Sequence, residues 1–171
     1  MRILMVCTAN ICRSPTAEAV LAHRLRRAGL ADRIELDSAG TRARSTPMPP
    51  DPRSIAHAAR RGYDLMGMRS RPVVSKDFDR FDLIVPMDRS HLRHLSALAL
   101  PDPRAQVRLL MSFCRVNGLS EEVPDPYYGG SAGFEHVLDL VELACDGLLE
   151  YLYSPQGSPP SRSPGSMSTP L

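Results

Sequence analysis

The sequence predicts an α/β fold in which helices flank a parallel β-sheet. Short apolar runs alternate along the chain with longer segments of helical periodicity, which is the pattern of repeated strand–helix–strand units. The chain has 171 residues, enough for one domain with a sizeable core. We therefore expect one domain over residues 1–153, with its ligand at the carboxyl ends of the strands.

Local signals predict the strands and helices in chain order. Apolar runs predict strands at residues 3–6, 34–36, 81–85 and 107–110. Helical periodicity covers residues 15–28, 52–61, 89–98 and 134–152. The strands thus alternate with helices, as a parallel sheet requires.

Capping residues mark the expected helix ends. Gly29 and Gly62 would end the first two helices, whereas Asp51 and Asp88 would cap the start of the second and third. The spacing in the second helix predicts a buried face made of Ile55, Ala58 and Ala59.

Composition excludes several classes of protein. The net charge is +2 and acidic and basic residues are interleaved, so no nucleic-acid or membrane surface is expected. Four scattered cysteines without zinc-site spacing predict a reducing, cytoplasmic location and no metal. The N-terminal apolar run is too short for a signal peptide or a membrane span. Residues 154–171 are nearly all Ser, Pro and Gly, which predicts a disordered tail.

The loop between the first strand and the first helix carries the strongest chemical signal. It begins at Cys7, and Arg13 follows after five intervening residues, with Ser14-Pro15 next. A loop of this length can form a nest, in which successive backbone N–H groups point at one anion, and the helix N-terminus adds its dipole. The fork of Arg13 can bind two oxygens of the same anion. The loop therefore predicts a site for a tetrahedral oxyanion such as a phosphoryl group.

Cys7 is the predicted nucleophile of this site. Helix N-termini and nearby cations favour a thiolate over a thiol, and the hydroxyl of Ser14 is within reach. A lone cysteine at a strand end is more commonly structural. The spacing to Arg13 and the Ser-Pro pair favour the nucleophile.

A second signal lies far along the chain, where Asp125 stands between two prolines and is followed by Tyr127 and Tyr128. Phosphoryl transfer to a thiolate needs an acid for the departing oxygen and then a base for water, and one aspartate can be both. An Asp-Pro pair alone predicts only a turn. The two tyrosines add aromatic faces suited to a flat substrate group.

Together these segments resemble the low-molecular-weight protein-tyrosine phosphatase family. The resemblance runs from Met1 to about Leu152 and is carried, in order, by C-T-A-N-I-C-R-S-P, D-S-A-G-T, P-P-D-P-R, D-F-D-R-F-D-L-I-V-P-M-D and V-P-D-P-Y-Y-G-G. It implies a four-stranded parallel sheet flanked by helices and a hydrolase without cofactor or metal. It also implies phosphotyrosine proteins as substrates, with a tyrosine kinase as a candidate partner.

The resemblance further implies a role for each site residue. Cys7 would form a phosphocysteine intermediate, Arg13 would bind the phosphoryl group, and Asp125 would be the general acid and base. Hydrogen bonds would brace the loop through Asn10, Ser14 and Ser38, and Ser14 would also assist the thiolate. The phosphate would contact Thr8, Ala9, Asn10, Ile11, Cys12 and Ser14. The substrate pocket would include Arg44, Tyr127 and Tyr128.

Three positions depart from the family pattern. Ala9 stands where the family more often has glycine, and a positive φ there would cost about 1–2 kcal/mol. Met68 replaces a common histidine, which would remove a hydrogen bond that braces the loop. Arg44 stands where many relatives have an aromatic residue, although its guanidinium can still stack on a ring.

Two alternatives of other classes stay open. An arsenate reductase shares the fold and the loop but needs further cysteines close together, whereas Cys114 and Cys145 are far apart in the sequence. A phosphate-binding module without activity would need only the loop. The joint presence of Cys7, Arg13 and Asp125 argues against it.

Overall fold

Four parallel strands form one sheet in the computed structural model, which describes residues 1–154. Their order across the sheet is β2-β1-β3-β4, and their bounds are Arg2–Cys7 (β1), Glu35–Gly40 (β2), Leu83–Pro86 (β3) and Gln106–Val107 (β4). The predicted fold class is thereby confirmed. The predicted tail, residues 154–171, lies outside the described residues except for Ser154.

The central strand β1 determines where the site lies. It pairs with β2 on one side, up to Cys7 opposite Gly40, and with β3 on the other, up to Val6 opposite Pro86. Because the chain leaves β1 for one neighbour and later returns on the other side, a crevice opens beyond the carboxyl ends of β1 and β3. Cys7, the last residue of β1, lies at that crevice.

Both faces of the sheet are buried, which explains the continuous apolar runs of the strands. On one face, Ile3 and Met5 pack in the same core as α1 (Arg13–Arg27) and α5 (Ser131–Tyr153). On the other face, Leu4 and Val6 pack in a core that includes residues of α3 (Asp77–Arg80) and α4 (Arg89–Leu98). The remaining helix, α2 (Pro52–Arg60), packs against α5.

The predicted capping residues are confirmed. Asp51 precedes α2 and accepts a hydrogen bond from the backbone N–H of Arg53, and Asp88 caps α4. Gly29 and Gly62 follow α1 and α2 with φ values of 70° and 83°, a region that favours glycine. No helix within residues 1–154 has both the length and the apolarity needed to cross a membrane.

The fourth predicted strand, residues 107–110, starts one residue too late and ends three residues too late. β4 ends at Val107, and Leu110 begins a short 3₁₀ helix, Leu110–Phe113, that packs against α5. A Cβ at Gly147 of α5 would lie only 1.9 Å from the Phe113 carbonyl oxygen. The absence of a side chain there lets the two backbones approach, and Leu110 is completely buried.

Two further predictions were wrong in detail. Ala59 of α2 is exposed, and His57 is buried instead because its ring stacks on Phe134 at 5.6 Å between centroids. Helix α3 was not predicted, since four residues are too few for a periodic signal. Phe81 is its C-cap, so β3 begins at Leu83 rather than at residue 81.

Candidate active site

The loop of residues 8–12 joins β1 to α1, and hydrogen bonds from outside the loop set the direction of its peptide groups. The carbonyl oxygens of Cys7, Thr8 and Ile11 accept hydrogen bonds from residues outside the loop, namely Thr41, Arg42 and Asp51. In a trans peptide the N–H points opposite to the carbonyl, so the next N–H groups point into the loop. Helix α1 begins with no side-chain cap. Donors arranged in this way can bind an anion.

Asn10 gives the loop its shape. Its φ of 58° is left-handed, a conformation that asparagine adopts more readily than most residues. Its side-chain amide donates to the hydroxyls of Ser14 and Ser38, both at 2.9 Å, and its Oδ1 accepts from the backbone N–H of Arg71 at 3.0 Å. Every hydrogen-bonding group of this buried amide is therefore satisfied.

The departures from the family pattern leave this bracing intact. The left-handed residue of the loop is Asn10, and Ala9 does not have a positive φ. The cost considered for Ala9 therefore does not arise. Met68 packs against the apolar core, and the segment that contains it braces the loop through the backbone of Arg71.

Gly40, at the end of β2, lets that strand approach the loop closely. A Cβ at this position would lie 2.5 Å from the carbonyl oxygen of Thr8, so any side chain would displace the loop. The close approach also brings Ser38 to Asn10. The D-S-A-G-T segment thus positions the loop from its side.

Cys7 is 2% exposed, and its Sγ lies 3.0 Å from the hydroxyl oxygen of Ser14. That hydroxyl accepts from Asn10, and its other neighbour, the carbonyl oxygen of Ala39, is farther away at 3.4 Å. The Ser14 hydroxyl can donate to the sulfur or to the Ala39 carbonyl, and the sulfur is the nearer of the two.

Arg13 lies across the mouth of the loop with 3% exposure. One terminal nitrogen, Nη1, donates to Asp88 Oδ2 at 2.8 Å and to the carbonyl oxygen of Val123 at 3.1 Å. The other, Nη2, donates to Thr8 Oγ1 at 3.2 Å and to Asp125 Oδ2 at 3.1 Å. The guanidinium therefore links the loop to the two carboxylates nearest to it.

Asp125 reaches the site from a loop anchored on β3. The backbone N–H of Val123 donates to the carbonyl of Met87, directly after β3, at 2.9 Å. The Asp125 carboxylate is 46% exposed and accepts from the backbone N–H of Tyr127 at 3.1 Å. This turn and the flanking prolines fix the carboxylate at the edge of the site, in contact with solvent.

One pocket of about 330 Å³ brings the predicted residues together. It is lined by Cys7, Thr8, Ala9, Ile11, Cys12, Arg13, Arg44, Asp125, Tyr127 and Tyr128. The guanidinium of Arg53 supports the Tyr127 ring at 5.3 Å from its centroid and also lies over Phe134 at 4.7 Å. Three predicted residues, Asn10, Ser14 and Ser38, do not line the pocket; they are linked by the hydrogen bonds of the Asn10 amide behind the loop.

Sequence reasoning missed several residues that hold the site together. Asp88 was predicted as a helix cap, yet it also forms an ion pair with Arg13. His91 bonds to Thr8 at 2.8 Å, and neither residue had been linked to the other. The signal for Asp88 was available, because it lies two residues after the strand next to β1, where side chains from adjacent strand ends converge.

Burial and hydrogen bonds set the protonation of three groups around the loop. Burial raises the pKa of Cys12 to about 12. Burial lowers the pKa of His91 to about 4, so the imidazole is neutral at neutral pH. Burial alone would raise the pKa of Asp88, but hydrogen bonds from Ser90 and the His91 backbone hold it below its usual value. Residues 1–154 contain no cluster of His, Cys, Asp or Glu that could hold a metal ion.

Comparison with known proteins places the chain in a family. The sequence profile of the low molecular weight phosphotyrosine protein phosphatases matches residues 2–156. A low molecular weight protein-tyrosine-phosphatase of Streptomyces coelicolor is 48% identical over 151 residues, which cover 86% of this chain and 91% of that protein.

Solved structures agree. A protein tyrosine phosphatase of Entamoeba histolytica has a TM-score of 0.84 and 39% identity, over 89% of this chain and 96% of that one. An arginine phosphatase of Drosophila has a TM-score of 0.81 and 31% identity, over 91% and 99% of the two chains. The chain therefore belongs to the low molecular weight protein-tyrosine phosphatase family, as the sequence predicted.

Proposed function

We propose that the protein hydrolyses phosphotyrosine in protein substrates through a phosphocysteine intermediate on Cys7. The observation that carries the proposal is that Cys7, Arg13 and Asp125 all line one pocket. It combines a nucleophile, a phosphoryl clamp and an acid, which are the three groups that the reaction needs.

In the first step the Cys7 thiolate attacks phosphorus and the bond from phosphorus to the tyrosyl oxygen breaks. Asp125 gives its proton to that oxygen, so tyrosine leaves neutral. The loop N–H groups and Arg13 bind the three remaining phosphoryl oxygens and stabilise their charge.

In the second step the Asp125 carboxylate takes a proton from water, whose oxygen attacks phosphorus. The phosphorus–sulfur bond breaks, inorganic phosphate leaves, and Cys7 returns as a thiolate. The hydroxyl of Ser14, 3.0 Å from Sγ, stabilises the sulfur when it leaves. Solvent reaches Asp125, which is nearly half exposed, so the attacking water has a path.

The wall of the pocket supports an aromatic substrate. Tyr127 and Tyr128 meet edge to face with ring centroids 5.0 Å apart, and Ile11 adds an apolar contact on the loop. A phenyl ring gains from both apolar burial and ring contact. Tyr128 is 95% exposed, so a large protein substrate has access, with a tyrosine kinase as a candidate partner in the cytoplasm.

The alternatives have less support. A disulfide relay for arsenate reduction would need further cysteines close together, but Cys145 is completely buried, with its Sγ 3.9 Å from the carbonyl oxygen of Ala17. A binding module would have no use for Asp125 beside the nest.

The test is the ratio kcat/KM measured on peptides of one sequence that carry phosphotyrosine, phosphoserine or phosphoarginine. We expect the phosphotyrosine peptide to be the best substrate, with Cys7→Ser inactive and Cys114→Ser unchanged. A preference for phosphoarginine, the substrate class named for the Drosophila neighbour, would overturn the assignment to tyrosine. Phosphate binding without turnover would favour the binding module.

A further inference from the structure

We propose that His91 is a positioning residue of the phosphoryl site, because it holds both groups that fix the fork of Arg13. The inference rests on the proposed function only in taking the loop as a phosphoryl site. His91 is the third residue of α4, and its side chain is 1% exposed. Its two ring nitrogens bond to Thr8 and to Asp88, the residues that bind Nη2 and Nη1 of Arg13.

The surrounding hydrogen bonds assign the tautomer of His91. The backbone N–H of Asp88 donates to Nδ1 at 3.2 Å, and Nδ1 is its acceptor among the described residues. Asp88 Oδ1 also lies 3.1 Å from Nδ1, but this oxygen already accepts from the backbone N–H groups of Ser90 and His91. Nδ1 must therefore carry a lone pair, and the proton of the neutral ring is on Nε2. Nε2–H then donates to Thr8 Oγ1 at 2.8 Å. The low pKa of His91 keeps the ring in this neutral form at neutral pH.

This assignment directs the hydroxyl of Thr8. Its oxygen accepts from His91 Nε2 and from Arg13 Nη2 at 3.2 Å, which uses both lone pairs. The hydroxyl proton must point away from both donors, and Thr8 lines the pocket with Cys7 and Asp125. The proton is thus available to an oxygen of the bound phosphoryl group.

The second route runs through Asp88. Its Oδ1 accepts from the backbone N–H groups of Ser90 and His91, while its own N–H donates to the His91 ring, which makes a capping box. This leaves Oδ2 for Arg13 Nη1 at 2.8 Å. The start of α4 therefore fixes one end of the guanidinium.

The Thr8 contact matters because Asp125 cannot be a permanent partner of Arg13. Asp125 is the proposed acid and must turn to the leaving group during the reaction. Thr8 is the remaining side chain among the described residues that binds Nη2. His91 thereby keeps the arginine in place when its contact with Asp125 is given up.

The test measures the dissociation constant of inorganic phosphate together with kcat and KM on an aryl phosphate. His91→Asn can keep an acceptor near the Asp88 N–H but is too short to reach Thr8. Thr8→Val removes the hydroxyl and keeps the branched shape, and Thr8→Ser restores a hydroxyl. The control is His94→Asn, an exposed histidine one turn later on α4.

We expect His91→Asn and Thr8→Val each to weaken phosphate binding about tenfold, the size of a lost hydrogen bond to a charged group. The double variant should be no more than about twofold weaker than either single one, because both changes break the same chain of contacts. Thr8→Ser should recover most of the affinity, and His94→Asn should match the parent.

Two results would overturn the proposal. One is a His91→Asn protein that melts at a lower temperature but binds phosphate as the parent does, since His91 would then be structural only. The other is a double variant whose loss of phosphate affinity equals the product of the two single losses, since the two residues would then act independently. If His91→Asn does not fold, Thr8→Val alone decides, because unchanged phosphate affinity there rejects the proposal. A parent that binds phosphate without turnover would refute the proposed function and leave this test valid.

Discussion

Asp125→Asn gives the sharpest test of the proposed chemistry, because it removes the proton donor and keeps the shape of the side chain. The Asn oxygen can still accept from the Tyr127 N–H, so the turn should persist. The ion pair with Arg13 is lost, but Asp125 is 46% exposed, and such pairs contribute about 1 kcal/mol or less. General acid catalysis contributes about 10²–10⁴-fold, or roughly 3–5 kcal/mol of the barrier. The effect on rate should therefore far exceed the effect on stability.

The assay compares kcat for phenyl phosphate with kcat for nitrophenyl phosphate. A phenolate with a pKa of about 10 needs the proton, whereas the less basic nitrophenolate can leave without it. We expect kcat to fall about 10²–10⁴-fold for phenyl phosphate and much less for nitrophenyl phosphate. KM should change little because the loop and Arg13 hold the phosphoryl group, and the alkaline limb of the pH–rate profile should flatten.

Equal losses for the two leaving groups would refute this reasoning and move the acid elsewhere, with Asp88 and Asp51 next to be tested. Asp64→Asn is the matched control. Asp64 is also exposed and also accepts from the backbone N–H two residues later, at 2.8 Å, but it does not line the pocket. It should leave both rates unchanged.

Three further predictions concern individual side chains. Cys7→Ser should lose turnover of aryl phosphates yet still bind vanadate, because the loop N–H groups and Arg13 remain; measurable turnover would remove Cys7 from its role. Peroxide should inactivate the enzyme reversibly. It oxidises Cys7 to a sulfenic acid, and the thiol of Cys12 then condenses with that acid to give a Cys7–Cys12 disulfide and water. Burial raises the pKa of Cys12, so this step should be slow and should quicken as pH rises; equal recovery of Cys12→Ser on adding thiol would exclude it. Finally, the folded pKa of His91 lies below its usual 6.5, so stability should be lost as pH falls from about 6.5 towards 4, by about 3 kcal/mol for a group this buried. The charged groups that act on the His91 ring are Asp88, Arg13, Asp125 and Glu122. The free energy of unfolding in urea should depend less on pH in His91→Asn than in the parent. Parallel pH dependences of the two proteins would contradict this.

The sequence by itself determined the number and order of the strands, most helix ends and the place of the loop after β1, but not the exact bounds of β3 and β4. These features depend on neighbours in the chain, because an apolar run that leads directly into a helix already places Cys7 and Arg13 around one set of backbone N–H groups. The caps Asp51 and Asp88 are local in the same way, since each bonds to N–H groups two or three residues later. Helix α3 and the 3₁₀ helix escaped because four residues show no period.

Only the tertiary structure decided what surrounds the loop. Asn10 has its φ of 58° because Ser14, Ser38 and the backbone of Arg71 meet at its amide. His91 bonds to Thr8 because α4 begins just beyond the end of β3, and β3 pairs with β1. These contacts join residues up to 83 positions apart in the sequence. The order of the strands and the packing of the helices bring such residues together. Local pattern carries no information on which residues meet across a sheet edge, whereas the order β2-β1-β3 fixes it.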